Sequence, residues 1–252
     1  MMRLMPGHRM PGSSPGPDPV LVLPDAAALA DLAAYIGRAK RVDPDGAARL
    51  VGHGDVLAAY VSPVHGGGGP TVLGLRTMAL ARPSAVDVTV SLASLNDRLA
   101  RLGVLPAASE RSSRPDGVPP AGADPVRLPI PPTPAGDASW AGVAPPRSGW
   151  EALAQVQVDV ARAAVRAGVA EVAAGSPPGA GAPAVARLRA LVWGRPLAEA
   201  AGVPAGVAYA AEALGFLCED EPAALYRCGP WTRLTTSAGH VLARRPALLQ
   251  SG

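Results

Sequence analysis

Aromatic side chains and lysine are scarce in this sequence of 252 residues. Phenylalanine, tryptophan and tyrosine together make up 4%, with Phe216 the only phenylalanine, and Lys40 is the only lysine. A core therefore has to be built from Ala, Val and Leu, and nearly all positive charge is arginine. The excess of Ala, Gly, Pro and Arg indicates the codon usage of a high-GC genome.

Cysteines and long apolar runs are also few, and these absences exclude whole classes of protein. Cys218 and Cys228 are the only cysteines, too few for a secreted disulfide scaffold. No window reaches the roughly 18 to 20 apolar residues that a membrane helix needs. The N-terminal stretch has no apolar core of a signal peptide. We expect a cytoplasmic protein without a membrane segment.

Net charge says little about partners. The formal charge is +3 and the pI is about 9.2. Nucleic acid or an anionic surface is compatible with this balance, but the excess is small and spread along the chain.

Composition divides the chain into five parts. Residues 1–19 are predicted to be a disordered tail, 20–103 an α+β domain, 104–149 a Pro/Gly-rich linker, 150–246 a second domain and 247–252 a short tail. The linker prediction depends on the stretch "RSSRPDGVPPAGADPVRLPIPPTPAGD", which has too few large apolar residues to form a core.

The first domain is predicted to be an antiparallel sheet with flanking helices. A strand at "VLVL" precedes a helix with Asp25 as N-cap, and four β-like segments follow. A helix capped by Ser91 or Ser94 closes the domain. The glycine run "HGGGGP" lies between two β-like segments and lacks the lysine of a phosphate loop, so it is interpreted as a hairpin loop.

The second domain is predicted to be helical with a small β-meander. A helix from "WEALAQVQVDVARAAV" precedes "AVARLRALVWG" and "PLAEAAGVPAGVAYAAEALGFL", and the β-like pieces "ALYRCG", "PWTRLTT" and "GHVLARR" end the domain. This element order resembles bacterial winged helix-turn-helix regulators. In that resemblance "LAEAAGV" takes the position of the first helix and turn, and "TRLTTSAG" that of the wing.

The resemblance implies a DNA-associated regulator, and seven basic residues are candidate phosphate or anion contacts. They are Arg187, Arg189, Arg195, Arg227, Arg233, Arg244 and Arg245. The second helix, however, lacks the polar and basic groups that read base edges. Such binding would have weak sequence specificity and depend on salt.

The same uncharged helix has an alternative interpretation as a protein contact. Small residues on it permit close approach of a partner, and the candidate contacts are Val207, Tyr209, Ala210 and Ala213. The partner would be another protein or a second copy of the chain. A further alternative is that this face packs into its own domain.

No motif names a reaction, cofactor or metal. The spacing of Cys218, Cys228 and His240 fits no zinc pattern, and no histidine lies in a catalytic motif. We predict no cofactor, no metal and no enzyme activity. An enzyme would require a concave pocket that holds His53 or His65 beside a carboxylate.

Taken together, "VLVLPDAAALADL", "SWAGVAPPRSGWE" and "GPWTRLTTSAGHV" resemble uncharacterised two-domain proteins of high-GC bacteria, a resemblance that implies no activity. The leading hypothesis is a non-enzymatic, cytoplasmic protein-interaction module, with a regulatory role as one form of it. The alternative is a winged-helix DNA-associated transcriptional regulator.

Overall fold

The computed structural model describes most of the chain. It covers residues 19–103, 124–132, 138–142, 144–177, 179, 181–198, 200, 202–218 and 221–244. Residues 1–18, 104–123 and 245–252 lie outside the described residues, and so does the predicted anion contact Arg245.

Nine strands, five helices and one 3-10 turn make up the described residues. The strands are β1 (Val20–Leu23), β2 (Ala47–Val64), β3 (Thr71–Ser84), β4 (Asp87–Ser91), β5 (Val126–Pro129), β6 (Glu151–Val156), β7 (Ala223–Cys228), β8 (Trp231–Thr236) and β9 (Gly239–Arg244). The helices are α1 (Ala26–Val42), α2 (Leu92–Arg101), α3 (Val158–Ala174), α4 (Ala182–Gly194) and α5 (Gly206–Ala213), and the 3-10 turn is Ser139–Gly142.

Seven strands form one antiparallel sheet in the order β4-β2-β3-β9-β8-β7-β6, and β1 pairs with β5 in a separate two-stranded sheet. The large sheet unites both halves of the chain because β3 pairs with β9, with Leu73 opposite Leu242. The sheet thus combines strands that are far apart in sequence, and both halves of the chain contribute to the core that packs on it.

The large sheet has two different faces, because successive side chains of a strand point to opposite sides. On β3, Val72 belongs to the main hydrophobic cluster, to which all five helices contribute buried residues. Its neighbour Leu73 belongs to a second cluster with Trp140, Trp231 and Leu242. We call the first side the helix face and the second the strap face.

The first two helices begin at side-chain caps that the sequence predicts. The Asp25 carboxylate accepts a hydrogen bond from the Ala28 amide at 2.7 Å. The Ser91 hydroxyl accepts one from the Ser94 amide at 3.0 Å. Both caps satisfy amides that have no partner inside the helix.

The predicted fold class is wrong in the second half of the chain. The described residues of that half form no winged helix-turn-helix. After α4 the backbone runs through an irregular segment with a single bridge between Pro196 and Pro204, and α5 has only eight residues. Strands β7, β8 and β9 are no wing, since they continue the sheet of the first half.

The helix predicted from Trp150 onward starts later than expected. Residues "EALAQV" are good helix formers, yet they form β6 and pair with β7, and α3 begins only at Val158. Pairing with a distant strand overrides this local preference.

The Pro/Gly-rich region predicted as a flexible linker also contributes structure where it is described. Leu128 in β5 pairs with Leu21 in β1, and both side chains are buried. The 3-10 turn carries Trp140, which is buried against the strap face. A few apolar residues in a proline-rich context are enough to dock these short pieces on a core formed elsewhere.

Candidate functional site

The predicted arginine contacts do not gather on one described surface. Arg187 and Arg189 lie on α4, and Arg195 directly follows this helix. Arg195 is paired with Glu171 at 2.7 Å. By strand alternation Arg227 follows buried Leu225 on the helix face, whereas Arg233 and Arg244 share the strap face with Trp231. Their role as anion contacts stays a prediction.

Arg233 is held between two aromatic rings. Its guanidinium carbon lies 4.6 Å from the ring centre of Trp150 and 4.7 Å from that of Tyr226. Burial lowers the pKa of this guanidinium, and its Nε atom is buried with no hydrogen-bond partner among the described residues. The stack fixes the side chain against the sheet.

The predicted protein-contact helix α5 packs mainly inside the chain. Val207 and Ala210 are fully buried, while Tyr209 and Ala213 are half-buried. Tyr209 stacks on Trp193 with ring centres 4.3 Å apart. The helix therefore offers a partner only a narrow edge, and its four candidate contacts stay a prediction.

Two strands, β4 and β6, lie at the ends of the large sheet. Each is paired on one side only within the described part of the chain. Edge strands carry unpaired amides and carbonyls that can accept another strand, and proteins commonly protect them with lysine, proline or bulges. An edge without such protection is a candidate interaction site.

The two edges differ in this protection. β6 has a register irregularity between Ala152 and Ala154, which disturbs the ladder that a new strand would join. β4 pairs with β2 without a break, from Ala47 opposite Ser91 to Val51 opposite Asp87. Its sequence "DVTVS" contains neither lysine nor proline.

The strap face is partly covered by the segment that we call the strap, residues 138–142 and 144–150. Trp140 packs against Leu73 and Trp231. The Trp150 indole N–H donates to the Pro146 carbonyl at 3.1 Å, and Arg49 donates to the Ala141 carbonyl at 2.6 Å. These contacts hold the strap over β2 and leave a cleft between them.

The cleft has a volume of about 120 Å³ and contains an ion pair at its wall. Arg49 donates to both carboxylate oxygens of Asp87, at 2.8 Å from Nε and 2.7 Å from Nη2. These hydrogen bonds lower the pKa of Asp87 and raise that of Arg49. Such a two-point contact fixes both side chains.

Three further polar side chains line the same cleft, namely Tyr60, His53 and Arg147. Burial raises the pKa of the Tyr60 phenol, and the positive charges of Arg49 and Arg147 act in the opposite direction. The phenol is therefore a hydrogen-bond donor at neutral pH.

The cleft meets the geometric condition that sequence analysis set for an enzyme, since His53 and the Asp87 carboxylate share one lining. A second cleft lined by His65 and Asp43 does so too. However, both oxygens of Asp87 are bound by Arg49, and no hydrogen bond joins His53 to Asp87 among the described residues. Absence of enzyme activity stays a prediction.

The cysteines form no disulfide with each other. Cys218 and Cys228 are half-buried free thiols. Within the described ranges no group of three or more His, Cys, Asp or Glu side chains is placed to hold a metal ion. None of the helices described is both long and apolar enough to cross a membrane.

Comparison with known proteins gives two family matches. Residues 17–115 match a domain of unknown function, DUF8010, and residues 145–248 match another, DUF8185. These matches support a protein of two domains. No curated protein matches the chain.

One solved structure with similarity to the chain is the DNA polymerase sliding clamp from Caulobacter crescentus. The match has 14% sequence identity and a TM-score of 0.42, and it covers 92% of this chain and 67% of that chain.

Sequence reasoning missed both the edge and the cleft. It placed "VDVTVSL" as a strand but had no means of knowing that this strand would end a sheet. Arg49 and Asp87 are 38 positions apart and Ala141 is 92 positions from Arg49. The strand register that brings them together depends on pairing, which residue spacing alone does not reveal.

Proposed function

We propose that the chain is a non-enzymatic protein-interaction module that self-associates by joining β4 of one copy to β4 of another. The observation that carries this proposal is the combination in β4 of an end position in the sheet, a regular ladder and the lack of lysine, proline or a bulge. Addition of a strand to such an edge is a recurring mode of protein recognition.

The sequence of β4 favours a second copy as the partner. Antiparallel pairing about Thr89 places Thr89 opposite its own copy, Val88 opposite Val90, and Asp87 opposite Ser91. Pairs of Thr and of β-branched residues stabilise neighbouring strands, and no like charges meet in this register. A two-fold contact of this kind is the most common form of homo-oligomer.

The neighbourhood of the edge supports the same proposal. Asp87, the only charged residue of β4, forms an ion pair with Arg49 on the adjacent strand. Its carboxylate therefore needs no new partner from the second copy. Thr89 lies opposite Arg49 on β2 and is half-buried. An ordered, regular edge loses little conformational entropy on association.

We further propose that the module works without a bound cofactor and in the cytoplasm. The support for this location is chemical, because two half-buried free thiols suit a reducing compartment. A binding role rather than catalysis is supported by the engagement of Asp87 with Arg49, which lowers the pKa of the carboxyl and makes it a weak base.

The test is sedimentation velocity over a range of micromolar to millimolar concentrations. The wild-type protein is expected to shift from monomer to dimer. Thr89→Lys places two lysines opposite each other on the two-fold axis and is expected to weaken association by about tenfold or more. High salt should restore part of the loss, because it screens the repulsion.

Thr77→Lys is the matched control, since Thr77 is exposed on β3 and carries the same change away from the edge. It should associate like the wild-type protein. Monomeric wild-type protein at every concentration, or an equal effect of both lysine variants, would refute the proposal. Circular dichroism of each variant verifies that the fold is kept.

A further inference from the structure

The cleft under the strap has the features of a ligand site, and Asp87 is the one residue of β4 in its lining. It lies between the strap and the N-terminal part of β2, and its lining combines an apolar floor with several hydrogen-bond donors. Ligand sites typically have this composition, with a few polar groups that fix the orientation of the ligand.

The floor of the cleft is apolar and rigid. Trp140 and Leu73 line it, and both belong to the buried cluster on the strap face. Trp140 is 5% exposed, so most of its ring is fixed by packing. The small part of the Trp140 ring that stays exposed is the apolar surface that a compact group can contact.

The charge of the cleft is positive. Asp87 is its one carboxylate, and this group is neutralised by the two hydrogen bonds from Arg49. The third nitrogen of that guanidinium is occupied by the Ala141 carbonyl. Among the described residues, Arg147 is then the lining cation without an ion-pair partner, and it is exposed.

Arg147 and Tyr60 are both available to a ligand. In the part of the chain that the structure describes, Arg147 makes no ion pair and the Tyr60 hydroxyl makes no hydrogen bond, yet both groups line the cavity. The guanidinium is close enough to act on the ionisation of the phenol. A guanidinium and a phenol both supply hydrogen-bond donors to a ligand in the cleft.

We propose that this cleft binds a small organic anion, in which a carboxylate or phosphate group contacts Arg147 and Tyr60 and a compact apolar part contacts Trp140. Guanidinium groups recognise both kinds of anion through paired hydrogen bonds. A volume of about 120 Å³ suits a compact anion.

The experiment is isothermal titration calorimetry of the full chain with three probes. Benzoate supplies a carboxylate on a flat apolar ring, inorganic phosphate supplies the other anion alone, and benzyl alcohol has the ring without charge. Benzoate is expected to bind more tightly than benzyl alcohol. Binding of phosphate without benzoate would assign the site to phosphate compounds.

Two variants locate the binding. Arg147→Gln is expected to weaken anion binding by about tenfold or more, because a charge-assisted hydrogen bond is lost. Tyr60→Phe removes only the hydroxyl and is expected to weaken binding about three- to tenfold. Arg82→Gln is the matched control, since Arg82 is exposed on β3 away from the cleft, and should bind like the wild-type protein.

Three results would overturn the proposal. They are measurable binding of benzoate and benzyl alcohol with equal affinity, unchanged anion affinity in Arg147→Gln, and no heat of binding with either anion at millimolar concentration. Sedimentation without added anion tests association through β4, whereas calorimetry with the Arg147 and Tyr60 variants tests anion binding. The two proposals can therefore fail separately.

Discussion

At the residue scale, the contact between Arg49 and Asp87 connects the sheet, the strap and the cleft. One guanidinium joins β4 through Asp87 and the strap through the Ala141 carbonyl. The side chains of Arg49 and Asp87 remain 22% and 51% exposed, so solvent screens the pair and its contribution is modest. Its main effect is to fix the positions of β4 and the strap relative to β2.

Arg49→Met is expected to lower the free energy of unfolding by about 1 to 2 kcal/mol at neutral pH, because Asp87 and Ala141 both lose their donor. The lowered pKa of Asp87 means that its share of the stability is present above the usual value of 3.8 and is lost as the pH falls below it. Urea unfolding at neutral and strongly acidic pH tests this expectation.

The penalty of Arg49→Met should therefore shrink in acid but not vanish, because the hydrogen bond to Ala141 does not depend on the charge of Asp87. Asp87→Asn is a suitable comparison, since it keeps an acceptor and removes the charge. An Arg49→Met penalty that is identical at both pH values would show that the ion pair contributes nothing.

Residue-scale features were also the ones that sequence could predict. Asp25 and Ser91 cap their helices through amides three positions away, so the whole interaction is contained in a short window of sequence. The cleft could not be predicted in this way. Its wall, floor and mouth come from Arg49, Trp140 and Arg147, which only the folded sheet brings together.

At the element scale, the glycine-rich loop between β2 and β3 shows close packing against a helix. The sequence predicts a hairpin loop here, and the structure confirms its place. A Cβ atom on Gly69 would lie 2.8 Å from the Ala190 Cβ and 2.9 Å from its Cα. The absence of a side chain allows the loop to touch the backbone of α4.

Gly69→Ala is expected to destabilise the protein by about 1 to 3 kcal/mol, because the added methyl group overlaps the helix and forces the loop away. Gly142→Ala is the control, since a Cβ atom there would have no neighbour within 4 Å. Chemical unfolding of both variants measures the difference. Equal stability of the two would mean that the loop does not press on α4.

The sequence predicts a helix or strand well where its local hydrophobic pattern determines the structure. It predicts poorly where pairing with a distant strand determines it. The alternating segments of β2 and β3 were recognised as strands, although β2 is one long strand rather than two. The residues of β6 favour a helix by composition, and only β7 makes them a strand. The stretch between α4 and α5 has the composition of a helix-turn-helix. In the structure it is irregular, and its residues Leu197, Ala200 and Val203 are buried in the main hydrophobic cluster.

At the scale of the whole molecule, the pairing of β3 with β9 gives one sheet from two domains that match separate family models. The sequence predicts a sheet in the first half and a meander in the second. It could not predict their union, because Gly74 and Val241 are far apart along the chain and nothing in their spacing marks them as neighbours.

The pairing of β3 with β9 also determines which strands lie at the ends of the large sheet. Once β3 and β9 are paired, the free ends of the sheet are β4 and β6. The irregular register of β6 disturbs one end, and β4 is the end that we propose to contact a second copy. The central claim of the account is therefore that β4 is the contact between copies.

Hydrogen–deuterium exchange at low and high protein concentration tests this claim most directly. The account predicts that amide exchange in residues 87–91 slows at high concentration, as outward amides of β4 enter a new ladder, while exchange in 151–156 is unchanged. Exchange in 87–91 that is the same at all concentrations, or slowing confined to 151–156, would contradict it.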